Sequence, residues 1–484
     1  MKAATVLPAL AMAALLAAPG TARADLTADQ AKTLETQLHD WMASLVKPAL
    51  DVGERPVQVS PEGDHYRLLL PLPEILSAMG FLEPGVQLSM TAKPMDGGRW
   101  ALEDLRFPSP LRVQVPSKGP DGKPMQMPLE ISVATQEYHA VFDPSYATTS
   151  SFDTAVTGTR VVTPVSTTTI AKSTGHSVWQ PTLDGRLNVL AETGSDTTEA
   201  KATTPDGGTL VTTVAKTRTS LSIKGVSPGA LATLVRSISA LVPTLGGPQD
   251  KLTPPQRELA RAVVFSLRDM IGGAEVTQTL EGMKVNGGGH TGTLAKISAG
   301  GAWATTDGKL ELSGQMEFAG LDSPEVPKGL YRDYLPRKLT LKPRVSGIPS
   351  NDVIKLALRA IDSEAKDMPK LQQDAIALLA AGPLELAIDD LVLDMGAAKL
   401  AANGTFDIAS PTDLTGDAEI TVTGLNTLIK RANTAPELKD MTPVLIFLKG
   451  IGKQDGDDTT WTLAYEDGKF TVNDTDMSAM IPKK

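Results

Sequence analysis

The sequence predicts an α+β, β-dominated fold: long, curved antiparallel sheets, amphipathic helix pairs packed on one face, and degenerate internal repeats. Three observations carry that reading. Seven Asp-Gly dipeptides begin at Asp96, Asp121, Asp184, Asp206, Asp307, Asp455 and Asp467, and Asp-Gly supplies the positive φ angles that tight hairpin turns need. The stretch from Leu129 to Lys224 is rich in Thr, Ser and Val, whose branched side chains sit well on a pleated surface. A strand–Gly–helix–helix order returns along the chain. Aromatic residues make up only 4% of the sequence, so the core must be aliphatic.

The first 24 residues read as a secretory leader. Lys2 gives a basic start, Val6 to Ala18 an apolar run, and Ala22-Arg23-Ala24 an A-x-A cleavage site. That run is shorter than the ~20 residues a bilayer-spanning helix needs. Cleavage after Ala24 would leave a periplasmic chain beginning at Asp25. With no cysteine in the sequence, disulfides, thiol catalysis, Cys-based metal sites and lipid attachment at an N-terminal Cys are excluded. Removing Lys2 and Arg23 leaves 44 cations against 56 carboxylates, a net charge of −12. That acidity opposes polyanions, so no nucleic acid partner and no simple adhesion to anionic headgroups is expected. The strongest later apolar run, Val444 to Leu448, stops at Lys449, and no transmembrane segment is expected after cleavage.

The elements follow in order. Asp25 to Val46 predicts a helix, with Thr27 as N-cap and Pro48 as its stop. His65 to Leu70 predicts a strand, followed by a helical turn from Glu74 to Met79. Ser220–Lys224, Leu341–Ser346 and Glu419–Thr423 each predict a strand that meets Gly225, Gly347 or Gly424. Helices then begin near Ala230, Asn351 and Asn426. Second helices are expected over Pro255–Met270, Lys370–Ala381 and Pro443–Leu448. The strands Ala101–Phe107, Thr279–Val285 and Ala387–Leu393 share apolar positions flanking an acidic or small pair. Recurrence of this kind points to copies of one supersecondary unit. Residues 25–225 form an N-terminal helix plus a β region, and 226–484 a C-terminal α+β region. Two or three of the Asp-Gly pairs are expected to be isolated surface turns and the rest hairpins. Alternation puts Leu221 and Ile223 on one face of a strand and Ser220, Ser222 and Lys224 on the other. An apolar face of this kind needs cover, which the helix pairs are expected to give.

Several motifs resemble reactive sites. Gly225-Val-Ser227-Pro-Gly229 matches the G-x-S-x-G nucleophile elbow. The oxyanion hole, however, needs the backbone N–H after the serine, and Pro228 has none; Ser227 reads instead as a helix cap. Ser44 to Lys47 matches S-x-x-K with no accompanying partner motif. His39, His65, His139, His176 and His290 lack metal-ligand spacing. Asp455 to Asp458 and Asp474 to Asp476 lack the calcium-loop pattern and read as solvated turns. Tyr331 to Tyr334 forms a polar-aromatic cluster. The expectation is therefore a non-enzyme with no catalytic, cofactor-binding or metal-ligating residues and no cofactor.

Leu384 to Leu393, the strand–Gly–helix units and the hairpin Asp467 to Val472 resemble exported bacterial proteins classed as domains of unknown function, and more distantly AsmA-like envelope proteins. The resemblance implies a periplasmic β-rich protein that handles lipid or maintains the envelope, and it carries over no catalytic residue. The expected function is non-catalytic binding or carrying of lipid, acyl chains or a lipidated partner. Movable amphipathic helices over amphipathic strands would provide the groove. One alternative is a scaffold docking an envelope protein on the Thr-rich sheet. A third reading is a hydrolase with a site assembled from distant residues.

Overall fold

The computed structural model describes residues 26–46, 57–70, 87–118, 124–145, 148–204, 206–241, 252–270, 272–326, 332, 334–364, 367–380, 383–410 and 413–478. The leader, the turn at Glu74–Met79 and the Asp121-Gly122 pair lie outside them. Two compact units divide the chain, Met1–Gly272 and Gly273–Lys484.

In the first unit, helix α1 (Ala28–Val46) precedes β1 (Gln58–Glu62), β2 (His65–Leu70), β3 (Leu88–Pro94) and β4 (Trp100–Arg106). These strands pair antiparallel in sequence order. Thr27 caps α1 as expected, its Oγ1 accepting from Gln30 N at 3.2 Å. The helix lays Ala31, Leu34 and Leu38, at helical spacing, on Tyr66, Leu68, Met90 and Leu102, all buried. The Tyr66 hydroxyl donates to Gln30 Oε1 at 2.9 Å, and Trp100 Nε1 donates to Gln37 Oε1 at 3.2 Å. This is a closed core.

Beyond it run β5 (Leu111–Lys118), β6 (Pro124–Ser132), β7 (Thr135–Asp143), β8 (Thr148–Thr163), β9 (Ser166–Pro181), β10 (Leu187–Thr203) and β11 (Thr209–Val226). β4 pairs β7, β7 pairs β8, and β8 to β11 form an antiparallel ribbon of strands 16 to 18 residues long. Helices α2 (Pro228–Leu241) and α3 (Pro254–Met270) close the unit. They cover one end of the ribbon, where Leu187, Val189, Val226 and Leu234 are buried against Trp179, Ile223 and Val263. Both helices belong to the first compact unit. Between Leu190 and Gly225 no described residue of the ribbon is buried. Ile223, at the end of this stretch, packs on the helix-covered cluster, while the rest of the stretch runs beyond it, because the strands are much longer than the helices that reach them.

The second unit is an antiparallel meander. It contains β12 (Gly273–Gly287), β13 (His290–Thr306), β14 (Lys309–Ala319), β15 (Lys338–Pro349), α4 (Ser350–Asp362), α5 (Met368–Ala380), β16 (Leu384–Asp394), β17 (Lys399–Ser410) and β18 (Asp413–Thr423). Then come α6 (Leu425–Thr434), α7 (Thr442–Ile451), β19 (Lys453–Asp455), β20 (Asp458–Glu466), β21 (Lys469–Val472) and β22 (Thr475–Asp476). Each strand from β12 to β18 pairs the next, and β18 continues to β20 and β21.

All six described Asp-Gly pairs join antiparallel partners, so none is the isolated turn the sequence allowed. Asp307 (φ 51°) followed by Gly308 (φ 73°) has the doubly left-handed pattern of a two-residue hairpin turn. The three strand–Gly–helix junctions also agree in geometry: Gly225, Gly347 and Gly424 have φ of 68°, 89° and 80°. A left-handed residue there turns the chain off the sheet and into the helix, which an L side chain resists.

Candidate functional site

Cross-strand register decides which side chains share a face, since directly paired residues point the same way. In the second unit, Trp303 lies opposite Ala274 on one side and Leu312 on the other. Met316 lies opposite Leu341, and Leu341 opposite Leu391. Val345 pairs Leu386, Leu386 pairs Phe406, and Ile388 pairs Gly404. The row continues through Ile420 and Trp461, then through Leu463 and Val472. One face of nine strands is therefore apolar almost throughout. At ~4.8 Å between strands, it extends roughly 40 Å across the sheet.

The other face is charged and internally paired. Lys296 Nζ donates to Glu317 Oε2 at 2.7 Å, and Lys342 lies 3.5 Å from Asp390. Arg344 donates to Asp389 through Nη2 at 3.1 Å and Nε at 3.3 Å, and through Nη1 to Glu385. These carboxylates raise the Arg344 pKa further above its already high ordinary value, and the Lys296 hydrogen bond holds Glu317 below the usual glutamate range. A bulge between Ile388 and Leu391 explains the acidic pair in this strand. Consecutive residues normally point to opposite faces, yet Asp389 and Asp390 both reach cations on the polar face. A related bulge falls in β4, where the register shifts between Ser89 and Thr91 and Asp104 has φ 52°.

Cover over the apolar face is partial. α6 and α7 pack Leu425, Leu428, Ile429 and Leu445 on Ile420, Val422, Trp461 and Leu463 at its last strands. In mid-sheet, Leu312 is 41% exposed, Met316 38%, Leu386 37% and Ile388 41%. Water-facing apolar side chains gathered on one hydrogen-bonded surface are a common feature of interaction sites. Its chemistry is adsorption: the surface offers dispersion contacts and displaced water, and no acid, base or nucleophile among these rows. α4 presents Val353, Ile354 and Leu356 half-buried, with none of its residues fully buried.

The motifs singled out in the sequence lie elsewhere. Ser227 Oγ accepts from Ala230 N at 3.4 Å, as a helix cap. Ser350, the first residue of α4, donates to the Gly308 carbonyl at 2.9 Å. His65 contacts Asp64, His176 contacts Asp153 at 2.7 Å, and His290 contacts Glu325, each as a separate pair. Among the described residues no group of three His, Asp or Glu could hold a metal ion. Asp458, at the start of β20, accepts from Thr423 Oγ1 of the paired strand β18 at 2.6 Å, and Arg332 pairs Asp322 at 3.0 Å. Lys47, Tyr331 and the Ser44 side chain lie outside the described residues.

A cleft of about 580 Å³ in the first unit is lined by Glu103, Arg106, Phe107, Gln136 and Tyr138, among others. Its groups are already engaged. Glu103 binds Lys93 at 3.2 Å, Arg106 binds Asp104 at 2.9 Å, and Gln136 bonds both backbone groups of Phe107. Burial raises the Tyr138 hydroxyl pKa. The cleft is thus a seam between β4 and β7.

The apolar face was only half visible in sequence. Alternation at Lys309–Ser313 and Leu384–Leu393 gives single strands, and the register across hairpins joins them into one surface. Among the described residues no helix is long and apolar enough to cross a membrane. The family model described as "Uncharacterized protein conserved in bacteria (DUF2125)" matches residues 334–477, which hold β15 to β21 and therefore most of the apolar face. That agrees with the resemblance to bacterial domains of unknown function. No curated protein matches the chain, and no solved structure does.

Proposed function

We propose that this protein is a non-catalytic carrier of acyl chains, working in the periplasm after removal of its leader. One observation carries the reading: an apolar face about nine strands wide, open at Leu312, Met316, Leu386 and Ile388, backed by an ion-paired polar face. Its ~40 Å width exceeds the ~15 Å of one leaflet of a bilayer's ~30 Å hydrocarbon core, so an extended acyl chain fits across the strands. Each buried CH₂ contributes about 0.8 kcal/mol, which makes a long chain a sufficient ligand without polar anchoring. Aliphatic and Met side chains adapt to chains of differing length and unsaturation.

Native mass spectrometry of protein purified from its own envelope should show co-purifying lipid, and the stripped protein should take up a fluorescent fatty acid. A protein that carries no lipid and takes up no probe overturns the reading.

A second reading is favoured by the β8–β11 ribbon, whose described residues between 190 and 225 include no buried position. A Thr- and Ser-lined sheet of that length suits docking of an envelope protein. Photocrosslinking from a probe at Thr213 in intact cells should then trap one partner, and a ribbon that traps none rejects it.

A further inference from the structure

α7 breaks the usual rule for a surface helix. Its inner side follows that rule: Thr442 is buried, and Leu445 and Ile451 pack on the Ile420, Val422 and Trp461 cluster. Trp461 Nε1 donates to the Leu448 carbonyl at 2.9 Å and fixes the helix to the sheet. Its outer side should be polar. Instead Val444 is 55% exposed, Ile446 53% and Phe447 45%, with Met441 just before them also exposed. From Pro443 to Leu448 no side chain carries a charge or a hydrogen-bonding group.

The surrounding sequence carries a local excess of cations. Residues 425–451 hold four cations (Lys430, Arg431, Lys439 and Lys449) against two carboxylates (Glu437 and Asp440) in a protein of net charge −10. Lys439 and Lys449 bracket the apolar stretch, and Lys449 is anchored to Asn426 Oδ1 at 2.6 Å. An apolar helical face with cations at its borders matches a bilayer surface, where side chains enter the acyl boundary and lysines meet anionic headgroups.

We propose that α7 docks this protein on an anionic lipid bilayer, with Val444, Ile446 and Phe447 entering the interface. The inner side of the same helix rests on the margin of the apolar sheet face, so docking would bring that face next to the lipids. The inference rests on the carrier reading for its purpose alone; docking itself stands or fails separately.

The experiment is flotation of the purified chain with vesicles of phosphatidylcholine containing about one-third phosphatidylglycerol, a strongly anionic surface. The wild type should float, less with pure phosphatidylcholine and less at high salt. Val444→Asp/Phe447→Asp should reduce the bound fraction tenfold or more, while fatty-acid uptake in solution stays unchanged. Both positions face outward, and a thermal melt checks that the variant folds. As a second measurement, Phe447→Trp should show a blue-shifted emission on adding vesicles. A wild type that stays out of the lipid fraction, a double variant that floats equally, or an emission from Phe447→Trp that does not shift overturns the proposal. So does a wild-type dimer that the double variant abolishes, because the patch would then be an interface between copies. A wild type that floats but takes up no fatty acid counts against the carrier reading and leaves docking intact.

Discussion

Val345 and Leu386 stand directly opposite each other on β15 and β16, on the side of the sheet away from the Arg344 guanidinium that binds Glu385 and Asp389. The two faces of one strand pair therefore do different work. The polar side carries ion pairs across the strands, and the apolar side leaves Leu386 open to solvent.

Charge placed on the open face should stop binding without unfolding the sheet. Met316→Asp/Leu386→Asp should weaken fatty-acid uptake tenfold or more, which corresponds to about 1.4 kcal/mol or above. Both residues are more than a third exposed, so the melting temperature should move by only a few degrees. Fluorescence titration checks uptake and calorimetry checks the fold.

Trp303 should report the ligand. It shares the apolar face with Leu312 and Ala274, and is half-buried there, whereas Trp461 is buried beneath α7. A brominated fatty acid should quench the intrinsic fluorescence, and most of that quenching should vanish in Trp303→Phe. Equal quenching in the variant would place the ligand elsewhere.

Gly347 and Gly424 should resist replacement. Both are left-handed, and a Cβ at Gly424 would lie 2.7 Å from the Ala397 carbonyl oxygen, while one at Gly347 would meet the Pro383 carbonyl. The left-handed conformation alone costs an L residue about 1–2 kcal/mol, and the collisions add to it. Gly347→Ala and Gly424→Ala should each lower the urea midpoint by more than that cost, whereas Gly450→Ala, which meets no neighbour, should not.

Acid should loosen the polar face in a defined direction. Hydrogen bonding from Lys296 depresses the Glu317 pKa, so its stabilisation is present above the ordinary glutamate range and fades as pH falls through the folded-state value. Glu317→Gln should lower the urea midpoint at neutral pH by an amount worth at most about 1 kcal/mol. That difference should shrink on acidification below the pKa of Glu317, with fatty-acid uptake at neutral pH unaffected.

Much of this fold follows from local chemistry. Asp-Gly turns, β-branched strands, the Thr27 cap and the glycines at 225, 347 and 424 each act within a few residues, so the element order and antiparallel character can be read without coordinates. The exclusion of the Ser227 motif is equally local, because Pro228 lacks a backbone donor whatever surrounds it. Three features are not local. Only the register shows that Leu312, Val345, Leu386 and Phe406, spread over nearly a hundred residues, line one surface. Only the bulge at Asp389 shows that two consecutive carboxylates serve the same face. How far the helices reach over the strands is also a tertiary matter. Sequence alternation says that an apolar face exists, but its cover depends on helix length and position against strand length, which only packing decides.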